Sequence, residues 1–188
     1  MNMMKKFLAI LFACTLSWSA QAAVIDNSAW TGSINSGWAQ SAQTLSFASD
    51  TTLNSFGWWL GESHTHQVSV VEWVSGPGSV LFSTTQSWSA GFNQITPNVL
   101  LSAGTLYAVL FNYQGSTTNT VHYNTTNGYA DGEWWLLSGT WSPWLNGNDM
   151  RFIANVNETQ NGDVPEPATL LLMGMGLAGL GFRRRKAK

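Results

Sequence analysis

The segment Thr105-Leu-Tyr-Ala-Val-Leu-Phe111 decides the fold class, because every residue after the threonine is apolar. Successive side chains of a strand point to opposite faces of its sheet, so both faces of such a strand would be hydrophobic. Both faces must then be covered by other parts of the protein. The segment therefore predicts a central strand in a layered β-structure.

Shorter alternating runs surround this segment, and turn-forming residues such as Gly76-Pro77-Gly78 separate them. Long helical periodicity is absent. The predicted strands are residues 43–48, 52–60, 66–73, 79–84, 91–96, 105–113, 120–123, 133–137 and 149–156. Short strands at this spacing predict an all-β fold, a single jelly-roll-like β-sandwich that occupies residues 23–160.

Tryptophan is the second unusual feature, since ten Trp residues lie between residues 23 and 163. Of two adjacent Trp residues on a strand, at most one can face the core. The apolar face of its strand contains Trp58, so Trp59 is predicted to point outward. For Trp134 and Trp135 the pattern leaves both assignments open. The segment 141–144 is predicted to be a loop.

The N-terminus has the pattern of a secretory signal peptide. A basic start precedes a short apolar run, residues 7–16, and Ala20 and Ala22 form an Ala-x-Ala cleavage site. Residues 1–22 are therefore predicted to direct export by the Sec machinery and to be removed after Ala22. The alternative is a lipoprotein signal at Cys14. Cleavage after Ala22 removes the only cysteine, so the mature domain would depend on packing for its stability.

The C-terminus has three parts in order. A linker, residues 161–167, ends in the motif residues Pro165, Glu166 and Pro167. A Gly-rich apolar segment follows at residues 168–182, and a basic tail at residues 183–188 contains Arg183, Arg184, Arg185 and Lys186. About 15 helical residues at ~1.5 Å each span only ~22 Å, which is short for a hydrocarbon core of ~30 Å.

This C-terminal pattern resembles the PEP-CTERM sorting signal of Gram-negative bacteria that possess an exosortase. The resemblance implies export, a transient inner-membrane intermediate with its basic tail in the cytoplasm, cleavage near Pro165-Glu166-Pro167 by the exosortase, and delivery to the cell surface or extracellular matrix. The alternative is an ordinary C-terminal anchor helix. Residues 43–47, 53–60 and 101–110 also resemble the sandwich domains found upstream of variable surface anchors.

The charge distribution excludes nucleic acid as a partner. Residues 23–163 contain nine acidic side chains and one basic side chain, Arg151, which gives a formal charge of −8. Phosphate binding requires a cluster of Lys or Arg residues, and this segment has none.

Two clusters could support chemistry, and both have simpler interpretations. Zinc could bind Glu62, His64, His66 and His122, but a His-x-His pair is commonly just exposed polar sequence, so we predict no metal site. A glycoside hydrolase needs two catalytic carboxylates, and Asp131 and Glu133 are explained equally well as turn residues. We therefore predict no enzymatic activity and no cofactor. A calcium site from Asp131, Glu133, Asn148 and Asp149 remains an open alternative.

Exposed Trp rings beside polar side chains are typical of glycan-binding surfaces. The candidate glycan-binding residues are Trp59, Trp135, Trp141, Trp144, Asp131, Glu133 and Asp149. The competing interpretation is that Trp fills the core. We predict an exported, exosortase-processed surface or biofilm-matrix protein with a structural and adhesive role in association with exopolysaccharide. The alternatives are a specific glycan-binding module and, in third place, a secreted glycoside hydrolase.

Overall fold

The structure is a computed structural model, and it describes residues 21–113, 119–126, 128–144 and 148–158. Within these ranges it contains fourteen strands and no helix. The strands are β1 (Gln21–Asn27), β2 (Gly32–Ser36), β3 (Gln40–Leu45), β4 (Thr51–Leu60), β5 (His64–Trp73), β6 (Pro77–Trp88), β7 (Gly91–Ile95), β8 (Val99–Leu101), β9 (Tyr107–Asn112), β10 (Asn119–Asn124), β11 (Trp134–Ser138), β12 (Thr140–Pro143), β13 (Asp149–Met150) and β14 (Phe152–Glu158).

The described strands form two antiparallel sheets. In the eight-stranded sheet the order is β1-β14-β4-β10-β13, with β2 beside β10 and with β7 and β8 beside β4. In the six-stranded sheet the order is β12-β11-β3-β9-β5-β6. Side chains of both sheets meet in one main core, where the rings of Trp58 and Phe111 pack edge-on with their centroids 5.1 Å apart. The predicted all-β, two-layer architecture is confirmed.

The strand predicted to be central is β9, which lies between β3 and β5. Its inward side chains Tyr107, Val109 and Phe111 are buried in the main core. On its other face Ala108 is fully buried in a second, smaller apolar cluster. Both faces of β9 are therefore covered, as predicted. Leu106 precedes the strand and is exposed.

The two Trp pairs divide between the inside and the outside of the sandwich. In β4 the side chain of Trp58 is fully buried, whereas Trp59 is half-buried on the outer face of the eight-stranded sheet. In β11 the side chain of Trp134 is fully buried and Trp135 is half-buried on the outer face of the six-stranded sheet. The prediction that Trp59 points outward is confirmed. In the second pair, for which the pattern left both assignments open, Trp134 is the residue that faces the core.

Four strands, β1, β2, β8 and β12, have no counterpart among the predicted strands. Most residues of β2 and β12 are polar, and these segments are strands because β10 and β11 supply hydrogen-bonding partners for their backbones. The predicted loop at residues 141–144 is accordingly wrong for its first three residues, which belong to β12.

The predicted strand 149–156 is interrupted at Arg151. Met150 and Phe152 on either side of it are both fully buried, and Arg151 points away from the core. The interruption has a physical cause, because β13 pairs with β10 whereas β14 pairs with β4 and β1. The predicted strand 79–84 is longer than expected and continues to Trp88.

The predicted sorting segments lie outside the described residues. This holds for the linker 161–167, the apolar segment 168–182, the basic tail 183–188 and all of the signal peptide 1–22 except its last two residues, which begin β1. In the described part of the chain, no helix is long and apolar enough to cross a membrane. β1 runs antiparallel to β14, and Gln21 lies opposite Glu158.

We expect the core to depend on the inward Trp of each pair. Trp58→Ala removes a fully buried ring that contacts Phe111 and Trp88, so the free energy of unfolding should fall by about 3–5 kcal/mol. Trp30→Ala is the matched control, because Trp30 is 60% exposed and its loss should cost less than about 1 kcal/mol. Urea unfolding of the purified full chain measures both. Equal losses would contradict the burial described here.

Candidate functional site

The outer face of the eight-stranded sheet carries a group of five side chains, four of them around Arg151, the one Lys or Arg between residues 23 and 163. We call this group the Arg151 patch, and its members are Trp30, Trp59, Phe92, His122 and Arg151. Strand alternation places Trp59 and His122 on this face, because their sequence neighbours Trp58 and Val121 are buried in the core. Arg151 lies at the break between β13 and β14 and contacts Trp59, and Trp30 lies between β1 and β2 and stacks on His122.

Trp59 and Phe92 lie side by side because β4 pairs with β7 in a register that sets them opposite each other. Their ring centroids are 4.8 Å apart. A Cβ atom on Gly57 would come within 2.5 Å of the Phe92 ring, so only glycine lets this ring lie against the sheet. Half of the Phe92 side chain remains exposed.

Arg151 lies over the ring of Trp59. The centre of its guanidinium group is 4.0 Å from the Trp59 ring centroid, which is cation–π geometry. Its Nε donates a hydrogen bond of 2.7 Å to the backbone carbonyl of Ser28. The amide of Ser28 in turn donates a bond of 2.9 Å to the Asp26 carboxylate. The guanidinium plane is therefore held from two sides.

His122 and Trp30 complete the patch on the far side of Arg151. The backbone N–H of Arg151 donates to the His122 carbonyl at 2.9 Å, which keeps the two residues adjacent. The rings of Trp30 and His122 are stacked with centroids 5.4 Å apart, and the Trp30 Nε1 donates to the Gly32 carbonyl. Burial and the nearby positive charge of Arg151 lower the pKa of His122, which favours the neutral ring.

The predicted candidates Trp135 and Trp141 lie on the opposite side of the molecule. They pack with Trp73 on the outer face of the six-stranded sheet, at ring-centroid distances of 5.8 and 4.9 Å. Trp73 is almost fully buried in the small cluster that contains Ala42 and Ala108. Trp59 belongs to the other sheet, so the structure does not bring the predicted Trp residues into one surface.

Trp144 is half-buried and packs against the core. Its ring packs against Trp38 and Trp134 with centroids 5.0 and 6.1 Å apart. Its backbone N–H donates to the Trp134 carbonyl at 2.7 Å, which draws the residue in towards the end of β11. The half-buried ring of Trp144 is therefore engaged with the core, and its contact with a glycan stays a prediction.

Asp149 is fully buried, so its side chain does not form part of an exposed surface. Its carboxylate accepts hydrogen bonds from the Gln43 side chain at 2.9 Å and from the Tyr129 backbone N–H at 3.1 Å. Burial raises the pKa of Asp149 to about 6, although these two hydrogen bonds act in the opposite direction. Asp149 thus serves the internal hydrogen-bond network.

Asp131 and Glu133 are separated from the Arg151 patch. Asp131 is exposed at the rim of an open cleft of about 560 Å³, together with Glu158. Glu133 is half-buried, and its backbone N–H donates to the Thr44 hydroxyl at 2.7 Å. Among the described residues, no three or more His, Cys, Asp or Glu side chains are placed to hold a metal ion.

The histidines considered for zinc are divided between two locations. The rings of His64 and His66 stack with their centroids 5.6 Å apart, His64 half-buried and His66 in the interior, whereas His122 lies in the surface patch. His66 is fully buried beside Trp88, and neither of its ring nitrogens bonds to a described residue. Burial, with a smaller contribution from His64, lowers the pKa of His66 to about 3. The expectation of exposed histidines is wrong for His66, because β5 begins at His64 and directs the side chain of His66 into the core.

The sequence interpretation named one of the five patch residues, Trp59, as a glycan-binding candidate, and it considered His122 for zinc alone. Phe92, His122 and Trp30 depend on strand pairings that no local pattern reveals. Arg151 did carry a signal, because it is the one basic residue between residues 23 and 163.

The comparison with protein families gives one match. Residues 163–186 match the model described as the PEP-CTERM protein-sorting motif. The chain carries a PEP-CTERM sorting motif. This motif implies an exported, exosortase-sorted protein of the cell surface or extracellular space of a Gram-negative bacterium, and the match confirms the resemblance to the PEP-CTERM signal. No protein of curated function matches the chain in sequence.

The sandwich resembles solved structures at low sequence identity. One contains the cysteine protease and lectin-like domains of Cwp84, a surface layer associated protein of Clostridium difficile, with 17% identity and a TM-score of 0.55. The match covers 74% of this chain and 36% of that one. A second structure, of the same protease after propeptide cleavage, has 17% identity and a TM-score of 0.54 over 73% of this chain and 40% of that one. The chain thus spans well under half of these proteins, and the likeness shows the fold alone.

We expect Asp149 to make stability depend on pH. Because its pKa is raised to about 6 in the folded protein, its stabilising effect is complete below about pH 4 and is lost as the pH rises through 6. The stability of the wild type relative to Asp149→Asn should therefore fall by up to about 3 kcal/mol between pH 4 and pH 8. Urea unfolding of both proteins at each pH measures this difference, in which the other titrating groups cancel. A constant difference would contradict the raised pKa.

Proposed function

We propose that this protein is an adhesive, non-catalytic component of the bacterial surface or matrix, and that it binds exopolysaccharide through the Arg151 patch. One observation carries the proposal. Among the described residues, Trp30 and Phe92 are the two exposed aromatic side chains, at 60% and 49%, and both belong to this patch. Exposed aromatic rings beside polar groups are a favourable surface for the apolar C–H faces of sugar rings.

The distribution of the other Trp residues supports the choice of this surface. Trp58, Trp73, Trp88 and Trp134 are buried, and Trp144 packs against the core. Most of the unusual Trp content thus stabilises a domain that would have no disulfide after signal cleavage. The two exposed aromatic rings of the described residues, Trp30 and Phe92, both lie on the outer face of the eight-stranded sheet.

The sorting motif and the solved neighbours add support of a different kind. Export to the surface brings the domain into contact with the polysaccharides outside the cell. A sandwich with this fold occurs in a surface-layer-associated protein that has a lectin-like domain. In this proposal the domain retains polysaccharide and does not cleave it, and calcium is not required for binding.

We expect Trp30→Ala and Phe92→Ala each to weaken polysaccharide binding by about three- to tenfold, because each removes one exposed ring. The matched control is Val80→Ala, an equally exposed apolar side chain on β6 of the other sheet. Affinity of the purified full chain for soluble polysaccharides, followed by its Trp fluorescence with and without calcium, measures the effect. Unchanged binding in both patch variants, or product formation lost in Glu133→Gln, would contradict the proposal.

The sorting step has its own test. We expect Glu166→Ala to leave the C-terminal tail attached, because the exosortase recognises the Pro-Glu-Pro motif, so the protein should accumulate in the membrane fraction as a species larger than the wild type. Immunoblots of membrane and extracellular fractions measure this. The control is Glu158→Ala, an acidic residue at the end of β14 outside the motif. Normal release of the Glu166 variant would count against recognition at this motif.

A further inference from the structure

We infer that the Arg151 patch selects saccharides that carry a carboxylate group, and in particular chains in which single uronic acid residues are separated by neutral sugars. This inference rests on the proposed function, that the patch binds polysaccharide. It concerns the chemical class of the ligand, and the side chain that carries it is Arg151.

The guanidinium of Arg151 has no ionic partner in the described part of the protein. Its contacts are the Ser28 carbonyl, which accepts from Nε, and the ring of Trp59. A guanidinium has five N–H donors, and the four on the two terminal nitrogens have no hydrogen-bond partner among the described residues, so they can serve a ligand. Two of them form the parallel pair that matches the two oxygens of a carboxylate.

The guanidinium group of Arg151 is held in place before any ligand binds. Stacking on Trp59 sets the plane of the guanidinium, and the bond to Ser28 sets its rotation within that plane. Asp26 is a positioning residue here, because its carboxylate accepts from the Ser28 amide and thereby holds the turn whose carbonyl Arg151 contacts. A pre-oriented Arg loses little conformational entropy when it binds.

The surroundings of Arg151 fit a sugar ring on either side. Phe92 contacts Trp59 on one side of Arg151, and Trp30 is stacked on His122 on the other. The carboxylate of a uronic acid projects from the edge of the sugar ring and leaves the C–H faces free. A saccharide can therefore present its carboxylate to Arg151 while neighbouring sugars lie on the exposed faces of Phe92 and Trp30.

The charge of the domain favours saccharides with isolated carboxylates over saccharides with closely spaced ones. With a formal charge of −8 over residues 23–163, the domain repels a densely charged polyanion at long range. At ~0.15 M salt the screening length is ~8 Å, so a single carboxylate in contact with Arg151 experiences mainly that one partner. The arrangement thus favours widely spaced uronic acids.

The test compares one saccharide with its neutral counterpart. The probes are the repeat tetrasaccharide of gellan, which has a single glucuronate, and the same tetrasaccharide after reduction of the carboxyl group to an alcohol. Affinities of the full chain are measured by calorimetry at ~0.15 M salt. We expect the wild type to prefer the acidic form by about ten- to hundredfold, as for a charge-assisted bidentate contact.

Substitutions at Arg151 separate this contact from general effects. Arg151→Gln should bring the preference close to unity, because it removes both the positive charge and the paired N–H donors that a carboxylate binds. Arg151→Lys keeps the charge without the fork, so the preference should fall only in part. Gln86→Glu, an exposed position on β6 of the other sheet, changes the net charge as Arg151→Gln does and should leave the preference unchanged.

The outcomes distinguish the preference for carboxylates from polysaccharide binding itself. If the wild type binds both probes equally, or if the preference survives in Arg151→Gln, the inference is overturned, whereas loss of binding in Phe92→Ala would still support the proposed function. If the wild type binds neither probe, or if Phe92→Ala and Trp30→Ala bind both as the wild type does, the proposed function fails and the inference fails with it. Should Arg151→Gln not fold, Arg151→Lys decides by the same ratio.

Discussion

The alternation of side chains across a strand governs what this protein can show to its surroundings. In β4 and in β11 two Trp residues follow each other, and only one ring of each pair can enter the space between the sheets. The side chains of Trp58 and Trp134 are fully buried in that space. Their neighbours Trp59 and Trp135 are consequently placed on opposite outer faces, where each organises an aromatic group. The composition of the surface is thus a direct result of how the core is filled.

The core itself contains polar groups at a cost. Gln43 links β3 to β13. Its amide N–H donates to the Asp149 carboxylate, and its carbonyl oxygen accepts from the Met150 N–H. This network is well satisfied and connects the two sheets. His66 is the opposite case, since neither ring nitrogen bonds to a described residue and its low pKa reflects the cost of charging it there. Asp149 favours the folded state at low pH, whereas His66 disfavours it, so acid affects this core in two opposing ways.

The sequence is informative wherever burial produces a pattern. The inward face of β4 and the covered strand β9 follow from apolar residues alone, and the sorting motif follows from its three consecutive parts. The polar strand β2 could not be predicted, because it exists only through its pairing with β10. The Arg151 patch could not be predicted for the same reason. Trp59 and Phe92 are 33 positions apart in sequence and come together through the pairing of β4 with β7. Arg151 joins them because it lies at the break between β13 and β14. Glycan candidates chosen by residue type alone therefore included Asp149, which is fully buried, and Trp144, which packs against the core.

The antiparallel pairing of β1 with β14 has a mechanical consequence. Arg151 immediately precedes β14 and Glu158 ends it, so the patch and the C-terminal exit lie at opposite ends of one strand, about 23 Å apart at ~3.3 Å per residue. Tension between a ligand held at the patch and an attachment beyond Glu158 would run along the axis of β14. Its hydrogen bonds to β1 and β4 lie across that axis, so they would be loaded together in shear instead of being opened one by one. A domain strained in this direction resists force with all of its ladder at once.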